Sequence, residues 1–277
     1  MASVINTNLL SLNAQRNTST SQSALANSMQ RLSSGLRVNS AKDDAAGLAI
    51  SERMGAQVRG MNVAIRNAND GISMAQTAEG GLSKVGDALQ RMRELAVQAR
   101  NATNTDDDKA SLDKEFQQLG EEITRVLAGT TFNGKTILGA DAGDKLFQVG
   151  ANTTANDEIT ITTTDFSSNG DITAVTGGNL NGDAAGLKEV IDNIDTAINT
   201  VNTERAIYGA AQNRFDAVIS NLQISVENQS AAKSRITDAD FAQETANLAR
   251  ASILQQAGNA MIAQANQLPS QVLSLLR

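Results

Sequence analysis

Apolar residues recur at alternating steps of three and four over most of this chain. Near the C-terminus, positions 251, 254, 258, 261, 265, 268, 272 and 275 hold Ala, Leu, Gly, Met, Ala, Leu, Val and Leu. That spacing is a coiled-coil seam. Its flanks are Gln, Asn and Ser, with no charge between Arg250 and Arg277. Near the N-terminus, Ile5, Leu9 and Leu12 repeat at the same spacing, as do Leu25, Met29, Leu32 and Leu36. A register slip separates those two runs, and a slip of this kind relaxes a supercoil locally. Neither terminal helix can shield such a seam alone. The two ends are therefore expected to pair, and the pair to be covered by an assembly. The heptad phase continues through Pro269 to Leu268, Val272, Leu275 and Leu276, so the last helix should pass the proline with a modest bend.

Between the ends the same period dominates. A helix is predicted from about Asn62 to Arg100, with Gly80-Gly81 as its weak point. A polar turn at Asn101–Asp108 leads into a second helix with Leu112, Phe116, Leu119, Ile123 and Val126 on one stripe, ended by Gly129. From Thr131 to Asp165 the period becomes two. Leu146, Phe147 and Val149 and the run Ile159–Thr162 read as strands, and Asn133-Gly134 is a tight-turn dipeptide. Residues 166–186 are rich in Gly, Asn, Asp, Ser and Thr and read as an exposed variable loop. Leu187 to Gln229 carries the longest seam, interrupted by Arg205 and Gln212, which can fix its register. Thr237-Asp238 is positioned to cap the terminal helix. Ser33–Ser40 breaks the first helix. Gly35 and Asn39 there both tolerate positive φ and mark a connector. The fold class is mainly α: long antiparallel helices in coiled-coil bundles with a small β-hairpin region. The expected domains are a terminal coiled coil (1–40 and 236–277) and an inner bundle with hairpins (41–165 and 187–235).

Composition narrows the chemistry. Six Phe, one Tyr and no Trp suit thin bundles better than a thick mixed core, and a single Pro permits very long helices. With no His and no Cys, metal triads, serine-protease triads, thiol nucleophiles and disulfides are all removed. A net charge of −7 without a basic face argues against nucleic acid. No run approaches the length of a membrane span, and the first twelve residues lack the basic and apolar regions of a Sec signal. Asp106-Asp107-Asp108 fits a helix start and no calcium loop; Gly177-Gly178 is followed by no GK[ST]. No enzyme and no cofactor is expected.

Long stretches of this sequence resemble bacterial flagellin. They are Ile5–Asn8, Leu32–Gly47, Gln212–Phe215, Ser234–Ile236, Ala239-Asp240 and Gln264–Pro269, with the closing Leu275-Leu276-Arg277. The resemblance covers residues 1 to about 165 and about 187 to 277, with the bulky outer domains of larger members reduced to a loop. It implies an extracellular structural subunit. Copies would stack their termini as the inner tube of a helical filament, with Ile5, Leu9, Leu12, Leu254, Met261, Leu268, Val272, Leu275 and Leu276 in that core. It implies export through the flagellar type III machine. The implied partners are an export chaperone, hook–filament junction proteins and a filament cap. It also implies recognition by the animal Toll-like receptor for flagellin, through Arg91, Leu95 and Glu115. From the helices alone, a secreted adhesin or host-interaction protein is the other reading.

Overall fold

The computed structural model describes the backbone of residues 7–274 and the side-chain surroundings of residues 7–267. Ile5, Leu275 and Leu276 lie outside the described residues, as do the side chains of Leu268 and Val272. Six helices are present among the described residues: α1 (Leu9–Ser34), α2 (Ala45–Ala99), α3 (Asp106–Gly129), α4 (Gly170–Thr176), α5 (Ala184–Thr237) and α6 (Phe241–Ser274). Two antiparallel hairpins lie between α3 and α4: β1 (Thr131–Phe132) with β2 (Lys135–Thr136), and β3 (Gly143–Gln148) with β4 (Glu158–Thr163). The fold is mainly α with small hairpins, as the periodicity indicates. Packing divides the chain into two units, one of Met1–Ala56 and Asn228–Arg277 and one of Gln57–Glu227. The helices α2 and α5 each contribute to both.

Three boundaries differ from the pattern-based reading. α2 begins at Ala45 rather than near Asn62, because Asp44 caps it: Oδ1 accepts the Gly47 N–H at 2.8 Å. α5 spans 54 residues, about 80 Å at the α-helical rise, and runs to Thr237. Thr237 therefore closes α5, and Asp240 caps α6 in its place, accepting the N–H groups of Ala242 and Gln243 at 2.9 and 3.2 Å. α6 continues helically through Pro269 to Ser274.

In the unit Gln57–Glu227, Leu82, Leu89, Met92, Phe116, Ile123, Ile194, Val201, Tyr208 and Phe215 are fully buried in one core. α3 starts on a reciprocal capping box between Thr105 and Asp108, so the acidic run serves a helix start. Asn133 and Gly134 take φ of 50° and 77°, the two left-handed residues of a two-residue hairpin turn. In β4, Ile159, Ile161 and Thr163 face the core while Thr160 and Thr162 face out. Phe147 of β3 meets Phe215 of α5 edge-on at 5.5 Å. The polar interruptions of the long seam have a shared partner on α2. Gln212 Nε2 donates to Glu79 Oε2 at 3.1 Å, and the Arg205 guanidinium lies 3.8 Å from Oε1. Glu204, buried on α5, accepts the Thr164 N–H and hydroxyl at 3.1 and 2.9 Å, tying the end of β4 to the bundle. Burial, with the Glu204 charge one turn away, pushes the Tyr208 phenol up.

Residues 166–186 are not an exposed loop throughout. They contain α4, capped by Asn169, and bury Phe166, Ile172, Val175 and Leu180. Asp113 of α3 accepts the Leu180 N–H at 2.7 Å, and Asp171 accepts the Thr200 hydroxyl of α5 at 2.7 Å. Glycine and asparagine content suggested a loop; four apolar residues at irregular spacing supply a lid on the core.

The glycine pair in α2 separates into two cases. A Cβ at exposed Gly80 would meet nothing within 4 Å. A Cβ at Gly81 would stand 2.6 Å from Thr130 Oγ1, which donates to Val126 O and is not free to swing, and 3.2 Å from Leu138 Cδ1. Helix propensity favours Ala over Gly by about 1 kcal/mol at either site, but overpacking costs about 1–3 kcal/mol. Gly80→Ala should therefore raise the urea midpoint of the monomer, and Gly81→Ala should lower it. Shifts of the same sign would show that the Thr130 contact is not tight.

Candidate assembly surface

The terminal unit pairs α1 with α6 in antiparallel fashion. α1 opens on Asn8, whose side chain accepts the Ser11 N–H at 3.1 Å and donates to Ala265 O at 2.7 Å. The Ser11 hydroxyl donates to Asn266 Oδ1 at 2.8 Å. Farther along, Gly258 sits against Thr18 so closely that a Cβ would strike the threonine hydroxyl.

The covered face of α1 runs through Ser11, Ala14, Thr18, Ser21, Leu25, Ser28 and Leu32. Its steps alternate three and four without a slip. On α6 the covered positions include Glu244, Leu248, Ala251, Gln255, Gly258, Ile262 and Ala265. Small and hydroxyl-bearing residues make much of the contact within one chain, with Leu25, Leu32 and Ile262 among them, and let the two backbones come close. Other large apolar residues lie on the remaining surface. Leu9 is 66 % exposed, Leu12 53 %, Leu254 51 % and Met261 64 %. Ala251, Gly258 and Ala265 of the expected α6 seam face α1, whereas Leu254 and Met261 do not. Leu25 and Leu32 of the expected seam are on the inner face, whereas Leu9, Leu12 and Met29 are not. The inner seam continues in phase from Leu25 through Ser21, Thr18, Ala14 and Ser11, which removes the apparent register slip.

Leu10, Met29, Phe241 and Ile253 are also more than half exposed, and sequence reasoning passed over all but Met29. Large exposed apolar side chains are thus concentrated on this one helix pair. A polar groove of about 410 Å³ lies between the helices, lined by Ser21, Asn27, Arg31, Glu244 and Arg250 among others. Among the described residues no group of three His, Cys, Asp or Glu could hold a metal ion, and no helix is long and apolar enough to cross a membrane.

The connector closes this unit. Gly35 adopts φ of 71° and its N–H donates to Arg31 O at 2.8 Å, ending α1. Leu36 bridges Asp238, the Arg37 N–H donates to Thr237 O at 2.7 Å, and the Ala239 N–H donates to Gly35 O at 2.9 Å. The Arg37 guanidinium adds a bond to Ile236 O at 2.8 Å. Asn39 does not take positive φ. Its side-chain amide instead donates to Ser34 Oγ and Leu36 O at 2.8 and 3.2 Å. The Ser40 hydroxyl, with the N–H groups of Ser40 and Asn39, holds Asp43 below its ordinary carboxylate range. The two connectors are one hydrogen-bonded clasp.

The other predicted set lies in the second unit. Arg91 of α2 reaches Glu115 of α3 at 2.8 Å and Glu94 at 2.9 Å, and all three are exposed. Arg93 forks onto Asp195 of α5 at 2.6 and 3.2 Å. Exposed pairs of this kind add little stability, so their content is geometric. Leu95 is 1 % exposed and belongs to the core. α2 packs against helices on two sides, so Leu95 and Ala96 are buried together and the apolar arc is wider than one seam. The apolar residue presented beside Arg93 and Glu94 is Val97, 51 % exposed, on a shallow concavity with Gln90 and Gln98.

Residues 5–142 match the model of the bacterial flagellin N-terminal helical region, and residues 191–276 match that of the C-terminal helical region. A flagellin of Halalkalibacterium halodurans is 47 % identical over 274 residues, covering 99 % of this chain and 100 % of its own length. The chain belongs to the bacterial flagellin family. A flagellin of Bacillus subtilis is 41 % identical over 305 residues, with 99 % of both chains covered. The crystal structure of Bacillus cereus flagellin, 35 % identical, aligns with 61 % of this chain and 94 % of its own at a TM-score of 0.49. As a flagellin, the chain is a structural subunit of the flagellar filament, assembling with copies of itself. Residues 143–190, between the two family models, hold β3, β4 and α4.

In this flagellin Gly35 is required by its φ, not by space, since a Cβ there would meet nothing within 4 Å. An L-residue in the left-handed region costs about 1–2 kcal/mol, and a β-branched one more. Gly35→Val should therefore loosen the clasp and slow filament growth on seeds, while circular dichroism shows the helices of the second unit unchanged. Growth at the normal rate would refute a role for the clasp in assembly.

Proposed function

We propose that the large apolar residues of α1 and α6 are the contacts through which subunits join into the inner tube of the filament. Ile5, Leu9, Leu12, Leu254, Met261, Leu268, Val272, Leu275 and Leu276 form that core. The segments 1–40 and 236–277 make the tube, and the bundle of 41–165 and 187–235 makes the surrounding shell. One observation carries the reading: Leu9, Leu12, Leu254 and Met261 are more than half exposed and outside the α1–α6 contact, which Ser11, Thr18, Ser28, Ala251, Gly258 and Ala265 close in large part. A secreted adhesin would be expected to turn its leucines inward and close its own helix pair. The chain works by packing and not by catalysis. It leaves the cell unfolded through the flagellar type III system, and its further partners are an export chaperone, hook–filament junction proteins and the filament cap.

Burial of each leucine contributes about 2 kcal/mol, so the loss of two at the tail should be felt in assembly. Chains lacking Leu275, Leu276 and Arg277 should fail to elongate seeds under negative-stain microscopy, with the helicity of the second unit retained. A shortened chain that polymerises as readily as the intact one would refute this placement of the core.

The exposed face of α2 is the proposed site for the animal Toll-like receptor for flagellin. Arg91 and Glu115 are open to a partner, whereas Leu95 supports the site only from within the core. Val97 supplies the apolar contact beside them. Arg91→Ala should weaken receptor activation by monomer roughly tenfold or more, as loss of an interface hot spot does. An unchanged dose response would remove Arg91 from the site.

A further inference from the structure

The chain has no cysteine, so its oxidisable sulfur is all methionine thioether. The seven methionines are not equivalent. Met74 and Met92 are 3 % and 0 % exposed, Met61 is 7 % exposed, and Met54 is half-buried. Met1 lies outside the described residues. Met29 on α1 and Met261 on α6 are 58 % and 64 % exposed. Both sit on the terminal helix pair, beside covered seam positions: Met29 follows Ser28, and Met261 precedes Ile262.

We infer that Met29 and Met261 are oxidation sites of the free subunit, and that their sulfoxides block its incorporation into the filament. The inference rests on the assembly reading above. Peroxides are the class of oxidant. The thioether sulfur attacks one peroxide oxygen, the O–O bond breaks, an S–O bond forms and water leaves. Sulfur is oxidised by two electrons and the peroxide is reduced by two. The reaction is governed by access to sulfur, which these two side chains offer and the core methionines do not. Its product is polar and chiral in place of a flexible apolar chain, so burial that was favourable becomes unfavourable unless a donor is supplied. On α6 the apolar Leu254 lies two turns before Met261 on the same exposed side, and the nearest exposed donor one turn away is the amide of Gln264. The same contact that would reject a sulfoxide would shield the thioether once the subunit is in place. The device is therefore asymmetric: free subunits are vulnerable and incorporated ones are protected.

The test uses the full chain. Monomer and preformed filament are each treated with hydrogen peroxide under native conditions, quenched, digested and analysed by peptide mass spectrometry. In monomer, Met29 and Met261 should oxidise roughly tenfold or more faster than Met74 and Met92. In filament that excess should be lost. Treated monomer should elongate untreated seeds at least roughly tenfold more slowly, with unchanged circular dichroism. The double variant Met29→Leu, Met261→Leu should elongate seeds equally well before and after treatment. Reduction of treated wild type with methionine sulfoxide reductases should restore growth, an arm that decides the matter if the double variant assembles poorly. Elongation at the normal rate by chains carrying both sulfoxides would overturn the inference. So would equal loss in the double variant, no recovery after full reduction, or equal oxidation of the two sites in monomer and filament. If untreated chain fails to elongate seeds, the assembly reading itself falls, and the monomer oxidation ranking then judges the site assignment alone.

Discussion

The close approach of α1 and α6 sets the terms for the rest of the terminal unit. A helix pair has a limited contact stripe, and here Ser11, Thr18, Ser28, Ala251, Gly258 and Ala265 occupy it. Small residues allow the backbones to come near and permit side-chain bonds such as Ser11 to Asn266. They remove little apolar area from water. Leu25, Leu32 and Ile262 share the stripe, but Leu9, Leu12, Leu254 and Met261 lie outside it, where a single chain leaves them wet. A unit built this way leaves apolar surface for which its own helix pair provides no cover. Pairing within the chain thus leaves Leu9, Leu12, Leu254 and Met261 unused on the same two helices.

The second unit inverts that distribution. Leu82, Leu89, Met92, Phe116, Tyr208 and Phe215 are inside, and the exposed side of α2 carries arginines paired to α3 and α5. Some polar groups inside have partners, while the Tyr208 hydroxyl and Arg205 Nε are buried without a hydrogen bond. Glu204 holds Thr164, and Glu79 receives Gln212 and faces Arg205. Such pairs define register more than they add stability. The chain therefore combines a bundle with its large apolar residues inside and a terminal helix pair with many of them outside. This division is consistent with a subunit that must stay apart before assembly and hold firmly after it.

Much of this was legible from spacing. The α5 seam, its two polar interruptions, the Asn133-Gly134 turn and the alternation of Ile159–Thr162 appear where their periods place them. The inner face of α1 was legible only at Leu25 and Leu32; nearer the N-terminus a search for periodic leucines follows the outward Leu9 and Leu12, because Ser11, Ala14, Thr18 and Ser21 are inside. Leu95 was misplaced for a related reason: a helix covered on two sides buries adjacent residues, and a single stripe cannot show that. The family resemblance named Arg91, Leu95 and Glu115 together, but only geometry separates the exposed pair from the core residue. Val97 had a sequence signal, since it falls off the seam of Met92, Ala96 and Ala99.

The short middle of the chain has its own logic. Residues 166–186 could be a slack connection only if the core beneath them were already closed. It is not: Phe166, Ile172, Val175 and Leu180 are all buried, Gly178 and Leu180 just after α4 are bonded to Gln117 and Asp113 of α3, and Asp171 of α4 is bonded to Thr200 of α5. A helix of seven residues is too short to be stable by propensity. It persists because Asn169 caps it and because its two apolar residues have a core to enter. The polar composition of this stretch describes its outer surface, while four side chains decide its conformation. Without bulky outer domains, the bundle of this flagellin is sealed by its own reduced segment.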